Sequence, residues 1–366
     1  MNNDSSFKRH ATWHAGLAVT LALLAGVPAC GDLDETDSDP PSVDALAAWD
    51  SSHLVAVRTY HKDPVIVDLQ TGKQTRTLSS DTYYSDIAVI GNGEFVCLQN
   101  QSIDFFRSDG TRDADRSIPG ALFSHMTVSA DRSTLAYGIE SDPTTNTIGI
   151  VDLPSGVQSF LSPDVSFNLG TSLSISRDGN LVAFANGDVG VAATHPPATT
   201  SMCALALDPR HPGSSLATAF SPVDDKLAAS MVDGDVNVFD LGHFPDCTLV
   251  SSYLSPEDDP SIIQHLAFSP DGSVLAISVE QSVASQTTGV VVMTGAIRLV
   301  DPAAGAVLAE WPVYRWEATP DGANTGPLIT DLQWSDAGDR IAVSTSNGPI
   351  QQWDVASGTL LWSASL

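Results

Sequence analysis

The chain has 366 residues, 42% hydrophobic and 16% charged, with 27 Gly and 22 Pro. That is enough apolar mass for a sizeable core, and the Gly and Pro usage excludes an all-helical bundle as well as a disordered chain. Sixteen Lys and Arg against 44 Asp and Glu leave a net charge of −28. This is the wrong sign for neutralising phosphates, which sets nucleic acid aside as a partner.

Residues 1–29 read as an export signal: a basic patch at Lys8, Arg9 and His10, then an apolar run from Ala15 to Ala29. The run is 15 residues long, short of the roughly 20 that a spanning helix needs. Its end, Leu24-Ala25-Gly26-Val27-Pro28-Ala29-Cys30, resembles the lipobox of bacterial lipoproteins, with Pro28 as a departure. The resemblance implies cleavage before Cys30, acylation of its thiol, and residence in the cell envelope, on the outer membrane or cell surface. Ordinary cleavage after Ala29 is the other reading. Residues 30–42 carry five acids between Asp32 and Asp39 and then Pro40-Pro41. Such a stretch repels itself and reads as a tether. It lacks the Gly and distal Glu of a calcium-binding EF-hand loop.

From residue 43 onward the chain repeats. In Ile263-Gln264-His265-Leu266-Ala267-Phe268-Ser269-Pro270-Asp271-Gly272-Ser273-Val274-Leu275-Ala276-Ile277, two apolar runs flank a tight turn, the signature of a β-hairpin. Related turns recur at Gly91-Asn92-Gly93, Ser129-Ala130-Asp131, Ser176-Arg177-Asp178-Gly179, Ser221-Pro222-Val223-Asp224 and Ser335-Asp336-Ala337-Gly338. A second marker, an apolar residue followed by Asp, closes third strands at Asp68, Asp152, Asp240, Asp301 and Asp354, with Asp109 as a weaker copy and the fourth unit's copy lost near Val191–Thr194. Each such Asp is suited to accept backbone N–H groups two residues on and so close its turn. From Asp68 to Asp354 the spacing averages about 48 residues, a propeller-like period that gives seven units. The fold expected for residues 43–366 is therefore an all-β, seven-bladed β-propeller of four-stranded blades. The first unit begins near Ala45 and the seventh is complete at Leu360-Leu361-Trp362, which allows a closure without an exchanged strand, while the sequence leaves the closing strand open.

Turns such as Ser269-Pro270-Asp271-Gly272, and the closing Trp353-Asp354, resemble those of WD40-type propellers over about 320 residues. No unit carries the Gly-His opening and only one closes its third strand with Trp-Asp, so the hydrogen-bond network that braces many WD40 blades is not expected in full. The resemblance implies a protein-binding or scaffolding module, with an envelope protein as first partner and a glycan as second.

In a propeller the b–c and d–a connections share one face, and four long irregular stretches fall there: Pro209–Ser215, Ser255–Pro260, Gln281–Met293 and Pro312–Pro327. That face is the expected binding surface. Trp311, Tyr314, Arg315 and Trp316 form an aromatic cluster with an Arg, the residue types that anchor interfaces. Local packing in the sixth blade's outer strand is the alternative reading.

Four residues before each turn Ser, or its equivalent, stand Asp86, His125, Ser172, Ala217, His265 and Asp331. They open the inner strands at the channel mouth. Asp86, His125, His265 and Asp331 have the donor chemistry for a divalent metal, though the sequence requires no cofactor and a solvated polar channel explains the same residues. A metal-assisted hydrolase resembling the propeller lactonases is the enzymatic alternative. No nucleophile elbow, zincin motif, phosphate loop or Cys-x-x-Cys pair is present. Cys97 sits in an apolar run and reads as an inert thiol. Cys203 and Cys247 begin outer strands of neighbouring blades, and an oxidising envelope would allow them to pair if their Cα atoms lie within about 7 Å.

Overall fold

The computed structural model describes residues 43–50, 52–58, 64–78, 83–99, 101–120, 123–140, 146–162, 172–186, 188–195, 200–203, 215–256, 261–284, 290–318, 326–346 and 348–365. The export signal, Cys30 and the tether lie outside the described residues, as do residues 209–214, 257–260, 285–289 and 319–325 of the four long connections.

Seven four-stranded antiparallel sheets follow one another along the chain. Blade 1 comprises β1 (Val43–Asp50), β2 (His53–Arg58), β3 (Val65–Asp68) and β4 (Gln74–Thr77). Blade 2 has β5 (Asp86–Val89), β6 (Phe95–Gln99), β7 (Ser102–Phe106) and β8 (Arg112–Pro119), and blade 3 has β9 (Phe123–Val128), β10 (Thr134–Glu140), β11 (Asn146–Asp152) and β12 (Gln158–Leu161). Blade 4 has β13 (Ser172–Ile175), β14 (Leu181–Asn186), β15 (Asp188–Ala193) and β16 (Thr200–Cys203), and blade 5 has β17 (Ser215–Phe220), β18 (Lys226–Met231), β19 (Val236–Asp240) and β20 (Thr248–Tyr253). Blade 6 has β21 (Leu266–Phe268), β22 (Leu275–Ala284), β23 (Val291–Val300) and β24 (Val307–Ala318), and blade 7 has β25 (Ile329–Trp334), β26 (Arg340–Thr345), β27 (Ile350–Asp354) and β28 (Thr359–Ala364). The first strands pack in a ring, β1 on β5, β5 on β9, and so on to β25 on β1. The protein is a seven-bladed β-propeller, and blade 1 is built wholly from the N-terminal side of the repeat.

There is no single core. Seven apolar clusters each fill one seam between neighbouring blades. Every blade therefore buries both faces, and second strands read as unbroken apolar runs, such as Phe95-Val96-Cys97-Leu98 and Leu275-Ala276-Ile277, in place of the alternation of a one-sided sheet. Phe95 stacks on Phe106 at 4.9 Å within the first seam, and Phe123 meets Tyr137 edge-on at 5.3 Å in the second.

The turn acids do what their type predicts. Asp68 accepts from the N–H groups of Gln70 and Thr71, Asp152 from Ser155, Asp240 from Gly242, Asp301 from Ala303 and Asp354 from Ser357. In the hairpin turn of blade 6, Asp271 accepts from the Ser269 and Ser273 hydroxyls and the Ser273 N–H, which pulls its pKa down to about 2.

Among the described residues, apolar packing and hydrogen bonds between side chains and backbone join blade 7 to blade 1 in the last seam. The Thr330 hydroxyl donates to the Val43 carbonyl, the Leu46 N–H donates to Asp331 at 2.8 Å, and the Trp362 indole N–H donates to the Leu69 carbonyl at 2.7 Å. The Trp362 ring also lies over Gly72, where a Cβ would come within 2.6 Å of it and φ is +66°. The same device recurs one seam earlier: Trp311 of β24 packs over Gly358, in the β27–β28 turn of blade 7.

Blade 2 holds a polar knot that the sequence reading missed. Asp104 is fully buried and accepts from the Tyr84 hydroxyl, Gln99, Ser102, Ser117 and Arg112. These bonds together hold its carboxyl below the usual range against the raising effect of burial. An Asp inside the run Ser102-Ile103-Asp104-Phe105-Phe106 was the available signal, since a lone acid in a doubly buried strand needs partners.

Candidate functional site

The channel mouth comes first. The expected positions are register equivalents: Asp86 opens β5, Ser172 opens β13, His125 and Asp331 sit third in β9 and β25, and His265 immediately precedes β21. The four metal candidates lie near one another: Asp86 and His265 each feel the charge of His125, and Asp331 that of Asp86. Yet among the described residues no three His, Cys, Asp or Glu side chains come together as a metal site.

Their carboxylates are turned to the backbone. Asp86 accepts from its neighbour Ile87 and, across the seam, from Met126 of blade 3 at 3.0 Å. Ser172 accepts in the same way from Thr218 of blade 5 at 3.0 Å. Asp331 accepts from Leu332 and from Leu46 of blade 1. The polar residue of one inner strand thus satisfies an N–H of the next, where parallel first strands leave backbone groups without a ladder. Burial raises Asp86 above the usual carboxylate range, with His125 pulling the other way. Burial and the nearby Asp86 charge push Asp331 up to about 7, while burial and His125 lower His265 to about 4.

The aromatic cluster is not a loop. Trp311, Tyr314, Arg315 and Trp316 all lie on β24, which runs to Ala318, and β22 and β23 continue to Ala284 and back from Val291. Within the expected irregular stretches Gln281–Met293 and Pro312–Pro327, residues 281–284, 291–293 and 312–318 are strand, for a simple reason: residues there pair in register, Val283 with Val292 and Met293 with Trp316. Blade 6 consequently carries a three-stranded extension at its b–c end. Pro312, which has no N–H, sits on the exposed edge beside a bulge that inserts Val313 between the pairs Gly295–Tyr314 and Ala296–Pro312. Trp311 is buried and stacks on Trp353 of blade 7 at 6.0 Å, so it belongs to the seam. Arg315 is exposed and pairs with Glu317 at 2.9 Å.

At the base of this extension, on the side toward blade 5, lies a cavity of about 560 Å³ lined by Gln281, Thr294, Arg298, Glu310, Pro312 and Arg315, among others. Arg298 is buried, pairs with Glu310 at 2.6 Å, donates to the Tyr253 hydroxyl and sits 5.6 Å from the Tyr253 ring centre. On the opposite side, toward blade 7, Glu280 is buried and accepts from the Ile329 N–H and the Tyr314 hydroxyl. Burial pushes Glu280 up to about 7. Sequence reasoning missed both charges; each interrupts an apolar strand, which was the signal.

Cys97 is a buried free thiol, and burial, with Asp104 and Asp86 adding, raises its pKa. Cys247 is disulfide-bonded and directly precedes β20. Cys203 ends β16, where the sequence reading had it begin that strand, and its side chain lies outside what the structure describes.

No protein-family model and no curated protein matches the chain. Solved structures do match, 1024 chains of them, a breadth that speaks to architecture alone. One is the β-propeller domain of Cps50 (Swd1) from Myceliophteria thermophila, at 13% identity and a TM-score of 0.61, covering 83% of this chain and 95% of that one. The likeness is one of fold.

Proposed function

We propose that this protein is a binding module that presents the blade 6 extension to a protein partner, held in the bacterial cell envelope by a lipidated Cys30 and the acidic tether. The extension carries the proposal. Its strands β22, β23 and β24 run 10, 10 and 12 residues, whereas the outer strands of other blades run 4 to 8. The ring does not need that extra length to close. A rigid scaffold with one projecting element, an exposed Arg315 and a cavity at its base is the anatomy of an interaction surface. The net charge of −28 favours a basic partner, with association that weakens as salt rises.

The test uses the full-length chain expressed in a bacterial host, with a photo-crosslinking residue at Val283 or Arg315 on the extension, or at Val157 on the opposite end of blade 3. Val283 and Val157 are both well exposed. Crosslinks from the two extension positions to one shared protein, absent from Val157, support the reading. The same products from all three positions, or none from the extension, overturn it. Release of the chain by Cys30→Ser, read as its movement from membrane to soluble fraction, tests the anchor separately. The Cys203–Cys247 pairing is proposed alongside, and a non-reducing peptide map decides it.

A further inference from the structure

Glu280 lies where the blade 6 extension leaves the body of the ring, and its carboxyl joins three elements. It stands on β22 opposite Gly295 of β23. At Gly295 a Cβ would come within 2.1 Å of the Tyr314 ring, so the missing side chain is what lets Tyr314 of β24 cross and reach the carboxyl. The third contact is the Ile329 N–H, the first residue of blade 7's inner strand. Both donors meet the same oxygen, Oε1.

We propose that Glu280 is a proton-operated latch that fastens the extension to blade 7 when the carboxyl is neutral and releases it when the carboxyl ionises. The proposal rests on the binding reading of the extension only for its biological consequence. The geometry fits a neutral acid: with Oε1 as the carbonyl oxygen both donors are satisfied, and Oε2 carries the proton. Ionisation leaves an anion in a buried site. The causes acting on its pKa are burial and these two hydrogen bonds, with no cation among them. Arg298 lies on the other face of the sheet, against Tyr253. Tyr314 is itself pushed up by burial and by Glu280, and so stays a donor. From the 261–265 segment, Ile262 bridges the Glu280 backbone, and His265, lowered to about 4, is neutral over the relevant range. Asp331, two residues beyond Ile329, turns its carboxyl to the Leu46 N–H of blade 1.

The sign follows from linkage. A carboxyl at about 7 when latched, against its ordinary 4.5 when released, favours the latched state below pH 4.5 and loses that preference as pH rises to about 7. The opening equilibrium should rise by up to about tenfold per pH unit across that window and level off above it.

Hydrogen exchange on the intact chain reads this without any partner, so it fails or succeeds independently of the crosslinking test. At pH 5 and pH 7.5, after correction for intrinsic rates, the amides of residues 313–318 and Ile329 should exchange faster at the higher pH in the native protein. In Glu280→Gln, permanently neutral and nearly isosteric, that pH dependence should vanish with protection retained. Tyr314→Phe removes a donor that favours the anion, so it should move the upper end of the window to higher pH; it serves if Glu280→Gln does not fold. Equal pH dependence in the native protein and Glu280→Gln overturns the latch. So does a Tyr314→Phe profile that coincides with the native one.

Discussion

Replacing Trp362 with Ala tests how the ring closes. Among the described residues the blade 7–blade 1 seam has no exchanged strand, so its outer part depends on the indole of Trp362, which donates to the Leu69 carbonyl and lies over Gly72. Losing the hydrogen bond removes about 1 kcal/mol. Truncating a fully buried Trp destabilises by about 3–5 kcal/mol, and Trp362 is only half-buried, so the contact part is about half of that. The expected loss is about 2.5–3.5 kcal/mol, or about 5–7 °C in thermal midpoint at about 2 °C per kcal/mol for a chain of this size. Trp362→Phe keeps most of the ring over Gly72 and loses only the N–H, so it should lie near 2 °C below the native protein. Differential scanning calorimetry at one scan rate measures both. A Trp362→Ala midpoint within about 1 °C of native would show that blade 7's outer strand does not hold the seam, and would refute the reasoning.

Asp104→Ala should destabilise the fold by about 3–5 kcal/mol, because it strands five donors around a buried void; urea unfolding measures it, and a loss under about 1 kcal/mol would mean the knot is not structural. Stability should also peak at an acidic pH. Below it, turn acids such as Asp271, held at about 2, lose their contribution as they are protonated. Above it, Glu280 and Asp331, both raised to about 7, lose stability as pH climbs from about 4 to 7, and His265, lowered to about 4, opposes them up to about 6.5. Two falling contributions outweigh one rising one, so urea midpoints should decline from pH 5 to pH 7. In Asp331→Asn, whose amide oxygen still accepts from Leu46, the decline should be shallower; an unchanged slope would remove Asp331 from the account.

How much of this was legible beforehand depends on where the determining interaction lies along the chain. The turn acids are local: Asp68, Asp152 and Asp354 bond to groups two or three residues away, so their role could be read from their spacing, and six such acids with one copy lost gave the seven units of the propeller, though not how its ring closes. The ring of Asp86, His125, His265 and Asp331 was legible as a set of equivalent positions, but its chemistry was not. Whether Asp331 faces a metal or the Leu46 N–H, 285 residues away, is decided by the closing of the ring. The aromatic cluster shows the same limit. The sequence left the cluster between an irregular connection and outer-strand packing, and pairing of β24 with a lengthened β23 made it a strand and sent Trp311 into the seam. Glu280 and Asp104 stood out only as isolated charges in apolar strands. Apart from Ser102, which shares β7 with Asp104, what they touch lies outside their own strands and, for Glu280, partly on the next blade, so the tertiary structure gives those two acids most of their partners.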